Sequence, residues 1–486
     1  MKPKQRVRLP TNICAILLIL TILVGCNNTS PEDTLGISPE NTLIPSNNNE
    51  APVITDDPNA EPSDIPWWAP PPITAETTEI DPTQTGELII YLPPYSWWWL
   101  NPAIDFYKEI YPNVELIVED IGDNYFVYGT RLSAELAAGT GPDILFPQFM
   151  FGADMYKMAD AGAFLDLNEF IQQDENFNFS DYVMPVLDGG IYNGKRYLMP
   201  YEYNVNVFIS IPSKLDEIGF DMTSTNNPIS FISEITRTLP KAQTNPLFQS
   251  MVSGNLWYNL FYASGIKYID FETNTVLPYE NAFEEFVKAY KPYRSVDNIV
   301  DINILPVNLH PQYLRNGTIN FGWTNSSIGY IILASQVNAF DDVQMHIIPD
   351  INGNNHANCV GAAIRSGTQN HTNAWNFIKI LLSPENQTRV SFNNIPVHIN
   401  SLIAQLERLY NHYDGVHGDM TCAKLSDEMM QSYIALITSV DVSTAFYSGP
   451  AGEKFYDQLE PFFQGDRSYE DSIARLRNDL RLYMSE

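Results

Sequence analysis

Leu88-Ile89-Ile90-Tyr91-Leu92 is an unbroken apolar run of strand length, and with the segments just after it constrains the fold more than any other feature of the chain. A strand buried on both faces reads this way, and such strands belong to parallel sheets covered by helices. Asn101-Pro102 then predicts a helix N-cap followed by proline at the first helical position, and Pro112 stops that helix. Val114-Glu115-Leu116-Ile117-Val118 predicts a second strand. Leu132 and Leu136 mark one face of a helix that ends at Gly139, and Ile144-Leu145-Phe146 a third strand. Two strand–helix–strand units in succession predict a doubly wound α/β lobe. Further on, Ala374, Phe377, Ile378, Leu381 and Leu382 share one helical face, and Ser383-Pro384-Glu385 starts the next helix. Tyr469, Ile473, Leu476, Leu480 and Tyr483 form a last stripe behind a Ser468 and Asp471 pair that resembles a capping box. These stripes are core.

Upstream of Leu88 the chain obeys different rules. Residues 27–86 hold eleven prolines and eleven acids with no Lys or Arg. Such a segment buries too little apolar surface to offset chain entropy, so an extended, self-repelling tether is expected. Trp67-Trp68-Ala69-Pro70-Pro71-Pro72 is its one sticky patch, read as incidental aromatics, with contact to a partner or the cell wall as the alternative. Ahead of it, Lys2, Lys4, Arg6 and Arg8 precede an almost unbroken apolar stretch over residues 13–24. That is an export signal, too short for a comfortable permanent span. Leu23-Val24-Gly25-Cys26 resembles the bacterial lipobox, in which the Cys is acylated on sulfur and becomes the new N-terminus. The expectation is a lipoprotein signal peptide over 1–25, a lipid-anchored linker over 26–86, and a folded body from residue 87 held outside the cell membrane.

The charge balance narrows the partners. With 58 acids against 27 bases the formal net charge is -31, and loss of the four signal bases moves the mature chain nearer -35. A surface this negative repels phosphate backbones and anionic lipid heads, which excludes nucleic acid and polybasic docking to a membrane. Aromatic residues make up 12% of the chain, 27 Tyr and 8 Trp among them, which exceeds the usual demand of a core and leaves rings for a binding cleft.

No cofactor, metal or catalytic residue is expected. Cys14 lies in the signal and Cys26 carries lipid, so Cys359 and Cys422 remain for the body, as two separate buried thiols or a single bridge. Asp350-x-Asn352-x-Asn354 opens like a calcium loop, but Asn355 and Gly361 stand where that loop needs Gly and Glu. A turn is the expected reading. His412, His417 and Asp419 lack metalloprotease spacing, and the adjacent Glu119 and Asp120 diverge on an extended strand.

The order of several further motifs carries a family likeness. Phe106-Tyr107-Lys108-Glu109-Ile110-Tyr111-Pro112-Asn113-Val114 precedes Glu135-Leu136-Ala137-Ala138-Gly139-Thr140-Gly141-Pro142-Asp143-Ile144. Ala161-Gly162-Ala163-Phe164-Leu165-Asp166-Leu167, Asn193-Gly194-Lys195-Arg196-Tyr197, Arg315-Asn316-Gly317-Thr318-Ile319-Asn320-Phe321 and Ala374-Trp375-Asn376-Phe377 come next in turn. The set resembles the family-1 extracellular solute-binding proteins, the maltose-binding-like group that serves ABC importers, over essentially all of residues 87–486. Two departures stand out. Phe208-Ile209-Ser210-Ile211-Pro212-Ser213-Lys214 replaces the family's Tyr-Asn-Lys, and residues 211–245 lack its Trp-x-Glu-Phe helix start.

The resemblance implies an α/β, two-lobed periplasmic-binding-protein type II clamshell with three inter-lobe crossovers, near residues 200–204, 320–323 and 382–385. The N-terminal lobe would hold 87–202 and 322–383, and the C-terminal lobe 203–321 and 384–486. It implies a monomer that closes on a sugar, most readily an oligosaccharide, and presents it to ABC permease subunits. A surface carbohydrate-active enzyme, or the same fold binding a cation, polyamine or peptide, stays open as the alternative.

Sugar sites combine aromatic platforms with polar side chains. Trp97, Trp98 and Trp99 come after the first strand at its carboxyl end, where open α/β sheets place ligands. Successive side chains diverge, so Trp97 or Trp98 is expected to face the cleft. Gln148, Phe149 and Phe151 come after the third strand, and Tyr201, Tyr203 and Asn204 lie in the first crossover. The resemblance adds Trp323 as a stacking ring, Asn255 and Trp257 as a ligand-facing turn, and Tyr447 near the last segment.

Overall fold

The computed structural model of the protein describes residues 83–150, 152–175, 177–238, 260–294, 310–317, 321–324, 327–389, 395–417 and 420–486. Strand β1 (Gly86–Leu92), helix α1 (Trp97–Ile110) and strand β2 (Val114–Asp120) make the first strand–helix–strand unit, and α2 (Tyr125–Ala137) leads to β3 (Ile144–Leu145). β1 lies between β2 and β3 and parallel to both, with Leu88 beside Leu116 and Ile90 beside Ile144. Leu88 and Ile90 are fully buried on one face and Tyr91 is buried on the other, with Ile89 half-buried beside it, so helices cover both faces of the strand. Asn373 holds its start, accepting from Gln84 Nε2 at 2.9 Å and donating to the carbonyls of Thr85 and Glu87.

Helix α1 begins at Trp97, earlier than Asn101-Pro102 predicts. The cause is the tight turn before it: Ser96 N–H donates to the Pro93 carbonyl at 3.1 Å and delivers the chain directly into a helix. Pro102 therefore sits inside α1, where it removes one main-chain bond.

The chain continues through α3 (Met155–Asp160), β4 (Met199–Asn204), β5 (Val207–Ser210), α4 (Pro228–Thr238), the hairpin of β6 (Ile269–Asp270) and β7 (Thr275–Val276), and α5 (Glu280–Arg294). Next are β8 (Phe321–Thr324), α6 (Ser327–Asn338), β9 (Gln344–His346), β10 (His356–Ile364) and α7 (His371–Leu382). The last third holds α8 (Pro384–Arg389), β11 (Ile395–Pro396), α9 (Ile399–His412), α10 (Asp427–Thr438), β12 (Val442–Thr444), α11 (Gly449–Phe463) and α12 (Tyr469–Ser485). The expected starts of α8 and α12 are met: Ser383 Oγ accepts from the Asn386 N–H at 3.2 Å, and Ser468 Oγ from the Asp471 N–H at 3.0 Å.

Apart from short two-stranded hairpins, these elements build two sheets and two apolar cores. The larger sheet runs β11-β4-β10-β3-β1-β2, with β12 on β10, and the smaller runs β8-β5-β9. β10 is antiparallel to both β3 and β4, so the returning strand closes onto the parallel unit. The first core takes in β1 to β4, α1, α7, α9 and α10, and it includes Ile331, Leu333, Ala334 and Val337 of α6. The second is rich in phenylalanine. Phe231, Phe283, Phe286, Phe321 and Phe455 are each at most 1% exposed, and burying each contributes about 1.5–3 kcal/mol. The chain leaves the larger sheet for the smaller between β4 and β5, returns between β9 and β10, and enters the second core again between β12 and α11, while α6, between β8 and β9, packs into the first core. Side chains also join the two bodies directly. Tyr156 of α3 stacks on Phe271 of the β6–β7 turn with ring centroids 3.9 Å apart, and Lys157 Nζ donates to the Tyr483 carbonyl at 2.8 Å.

Cys359 and Cys422 are free and buried. Asp350 forms the expected turn: its carboxylate accepts from the N–H groups of Asn352 and Asn354 at 2.7 and 2.8 Å and meets His356 Nε2 at 2.9 Å. No helix among the described residues is long and apolar enough to cross a membrane.

Candidate functional site

Side chains of site character gather at the carboxyl ends of β1 and β3, and the geometry starts with one turn. Pro93-Pro94-Tyr95-Ser96 carries proline at its second position and the closing bond from the Ser96 N–H, the pattern of a type II turn. That turn needs a left-handed residue third, usually Gly. Tyr95 occupies the position with φ 57°, at a cost of about 1 kcal/mol or more. The strain aims an aromatic ring outward: Tyr95 is half exposed, and its ring lies 5.9 Å from that of Tyr125.

The turn feeds the three tryptophans into α1, and helical geometry sends them apart. Trp97 is 62% exposed, whereas Trp99 is buried. Trp98 is the second residue of the helix. Trp99 sits among rings, 5.2 Å from Tyr201, 6.1 Å from Phe149 and, edge-on, 5.5 Å from Phe146. Phe149 continues the stack toward Tyr125 at 6.4 Å, nearly coplanar in orientation at 5°. A wall of parallel rings therefore backs the carboxyl edge of the sheet, and each near-parallel pair is worth about 0.5–1.5 kcal/mol beyond the area it buries.

Polar groups are set into this wall. Gln148, in the short 3-10 turn Pro147–Phe149, donates from Nε2 to the Tyr201 hydroxyl at 3.1 Å. Its Oε1 is buried with no partner among the described residues, as is Asn204 Oδ1 at the end of β4. Tyr447 reaches over from the last passage between cores, its hydroxyl donating to the Met150 and Pro147 carbonyls at 3.0 and 3.2 Å. Burial holds the phenols of Tyr201 and Tyr447 protonated far beyond the ordinary range, so both keep their hydroxyl proton at any working pH. Next along the chain, Ser448 Oγ donates to Asp154 Oδ2 at 3.0 Å and meets the Tyr483 hydroxyl at 2.8 Å. Burial raises the Asp154 carboxyl, and hydrogen bonds from Lys157 and Ser448 resist that rise.

The rim is acidic. Asp123 Oδ1 accepts from the Tyr95 N–H at 3.4 Å and Asp120 Oδ1 from the Gly122 N–H at 2.8 Å, which ties together the loops leaving β1 and β2. Arg131, the nearby base, is engaged by Glu119 at 2.5 Å and Glu135 at 2.8 Å. Among the described residues no group of three or more His, Cys, Asp or Glu could hold a metal ion.

The residues expected from sequence fall in several places. Trp97, Gln148, Phe149, Tyr201 and Tyr447 share the neighbourhood just described, with Phe149, Tyr201 and Tyr447 in its wall. Tyr203 is fully buried, and its hydroxyl donates to the Ile437 carbonyl at 3.0 Å, away from that edge. Trp323 is the third residue of β8, paired with Phe208 on β5. Cys26, Phe151, Asn255, Trp257 and Asp419 lie outside the described residues. Tyr125 joins this neighbourhood without having been expected there, and Tyr95 and Trp99 flank the expected Trp97 and Trp98 without having been singled out as ligand-facing. Two of the three had a readable signal: Pro93-Pro94 ahead of Tyr95 marks a turn, and Asn124 ahead of Tyr125 is a helix N-cap, its Oδ1 accepting from the Phe126 and Val127 N–H groups.

The first body thus presents a ring wall at the carboxyl edge of its sheet, and the second body is joined to it by several chain passages. Residues 98–388 match the family described as bacterial extracellular solute-binding protein. The chain belongs to that family. No curated protein sequence matches it. Solved structures share its fold at low identity. The ABC substrate-binding protein Lmo0181 of Listeria monocytogenes, in complex with cycloalternan, is 16% identical, with 83% of this chain and 100% of that one covered at a TM-score of 0.54. The cyclic alpha-maltosyl-1,6-maltose binding protein of Arthrobacter globiformis is 14% identical, covering 82% and 99% at 0.53. The sugar-binding protein MalE of Xanthomonas citri is 12% identical, covering 82% and 97% at 0.56. This solute-binding protein therefore has the two-lobed α/β fold expected from its motifs.

Proposed function

We propose that this solute-binding protein captures a sugar, most readily an oligosaccharide, between its two bodies and hands it to the permease subunits of an ABC transporter. The observation that carries the reading is the aromatic edge of the first body, where Trp99, Phe149 and Tyr201 stack and Trp97 stands exposed on the same first turn of α1. Flat rings match the C–H faces of a sugar, and Gln148, whose Nε2 is tied to the Tyr201 hydroxyl, has an Oε1 without a partner that can accept from a sugar hydroxyl. The sugars named for the Listeria and Arthrobacter proteins support the same class of ligand.

Capture needs differential affinity: a ligand touching both bodies favours the closed arrangement, and the transporter reads closed from open. No bond of the sugar is broken in this scheme. On this reading the lobes are assigned by the two cores, and α9 and α10, whose apolar faces lie in the first core, go with the first lobe. The body works as a monomer at the outer face of the cell membrane, held there by lipid on Cys26 through the acidic, proline-rich segment 27–86. Melting the protein with a panel of neutral sugars, and chromatographing each sugar afterwards, tests the reading. The expected result is a raised melting temperature with an intact sugar. No shift with any member, or a shortened sugar, refutes it. For the anchor, Cys26→Ala should move the protein from the membrane fraction to the medium, and continued membrane retention would overturn that part alone.

A further inference from the structure

Among the described residues, exposed large apolar side chains gather where the chain leaves β1 and β2, in the turn after β1 and in the first turns of α1 and α2. Tyr95, Trp97, Phe126 and Val127 are each between 45% and 62% exposed. The two loops are neighbours by construction, since β1 and β2 are parallel with Leu92 beside Asp120, and the Tyr95 N–H reaches Asp123 across them. Exposure of this kind is costly in water and invites a partner. At Tyr95 the chain also keeps a ring at a position where glycine or asparagine relieves backbone strain, which points to a use for the ring itself.

The charge around these rings selects the chemistry. Asp120 and Asp123 stand exposed beside them, and Arg131 is engaged by two glutamates. Anionic headgroups, uronic acids and sulfated sugars are repelled from such an edge, whereas neutral hydroxyls can donate to the carboxylates. The rings also continue outward from the buried wall, through Tyr125 to Tyr95.

We propose that Tyr95, Trp97 and Phe126 form an outer stacking platform on the rim of the first body, which takes the units of a neutral glycan that project beyond the cleft. The inference rests on the sugar reading above and adds to it a preference for longer, uncharged chains. Each sugar unit that reaches the platform gains a ring face, so affinity should climb with chain length past the cleft and then level off.

Calorimetric titration with two neutral series, maltose to maltoheptaose and cellobiose to cellohexaose, tests the platform on the full secreted chain. The series that binds should tighten about tenfold or more from its disaccharide to its hexasaccharide. The double variant Tyr95→Asn/Phe126→Ser should lose that climb, leaving the hexasaccharide within about threefold of the disaccharide. Asparagine tolerates the left-handed turn position, so the variant keeps the loop. An unchanged melting temperature in the absence of sugar checks that it does. Equal affinities along the series in the unaltered protein, or an undiminished climb in the variant, overturns the platform and leaves the sugar reading standing. Failure of both series to bind removes both. If the variant instead loses retention on phosphatidylcholine vesicles with its sugar affinities unchanged, the rings face a membrane and the platform is refuted.

Discussion

Trp97 and Trp99 are two residues apart and should answer opposite questions when each is truncated. Trp99 is 4% exposed and meets three rings within 6.1 Å, so Trp99→Ala removes a large buried side chain and opens a cavity that stacked neighbours cannot fill. Changes of this type cost about 3–5 kcal/mol. In a body of this size that corresponds to a fall of roughly 5–10 °C in melting temperature. Trp97 is 62% exposed, so Trp97→Ala should change stability by no more than about 0.5 kcal/mol. If its ring stacks on the ligand, the same change should weaken sugar binding by about 1–3 kcal/mol. Differential scanning calorimetry reads the first quantity and titration calorimetry the second, on both variants. This division of roles is refuted if Trp97→Ala melts as early as Trp99→Ala, or if Trp97→Ala binds every sugar as the unaltered protein does.

Other consequences come from particular buried groups. Asp143 is 1% exposed and accepts from the Ile89 N–H at 2.8 Å, from Asn370 at 3.0 Å and from Thr368, so Asp143→Ala should cost about 3 kcal/mol or more by denaturant titration. Burial lowers the imidazole of His346 to about 4, against 6.5 ordinarily. The unfolded chain therefore binds the extra proton across that window, and this contribution to stability, complete above about pH 6.5, is lost as pH falls toward 4. His346→Asn should flatten that part of the pH–stability curve. Burial pushes the Cys359 thiol up to about 12 and raises that of Cys422, so neither should react with iodoacetamide at pH 7.5 until the protein unfolds. Rapid labelling of either in the folded protein would contradict the burial. Tyr447→Phe deletes the hydroxyl that braces the Met150 and Pro147 carbonyls and should cost about 1–2 kcal/mol in melting experiments, with weaker sugar binding if Gln148 moves with its turn.

The legible and the hidden parts of the fold divide along physical lines. The five apolar residues of β1 declared a strand covered on both faces, because nothing polar interrupts them, and Ser383 and Ser468 declared their helices because a cap is a local event. The start of α1 was hidden: Asn101-Pro102 carries every local mark of a helix start, and only the Pro93 to Ser96 turn, a feature of backbone conformation, overrides it. Tyr95 was only partly hidden: Pro93-Pro94 marks the turn, but a tyrosine at positive φ contradicts its own preference. That the tryptophan triplet must split was legible from side-chain divergence, but which ring faces out depends on helix phase, and the phase is set by the unseen start. Membership of α9 and α10 in the first core was equally hidden, because an amphipathic stripe shows that a face is buried without showing against what.

The central claim, capture of an unaltered neutral sugar, is tested most directly by titration calorimetry on the chain carrying Cys26→Ser, which removes the proposed lipid site. Saturable heat with at least one neutral oligosaccharide, at one site per chain and with the sugar recovered intact, is the predicted result. Absence of heat across the panel, or recovery of shortened sugar, would contradict it.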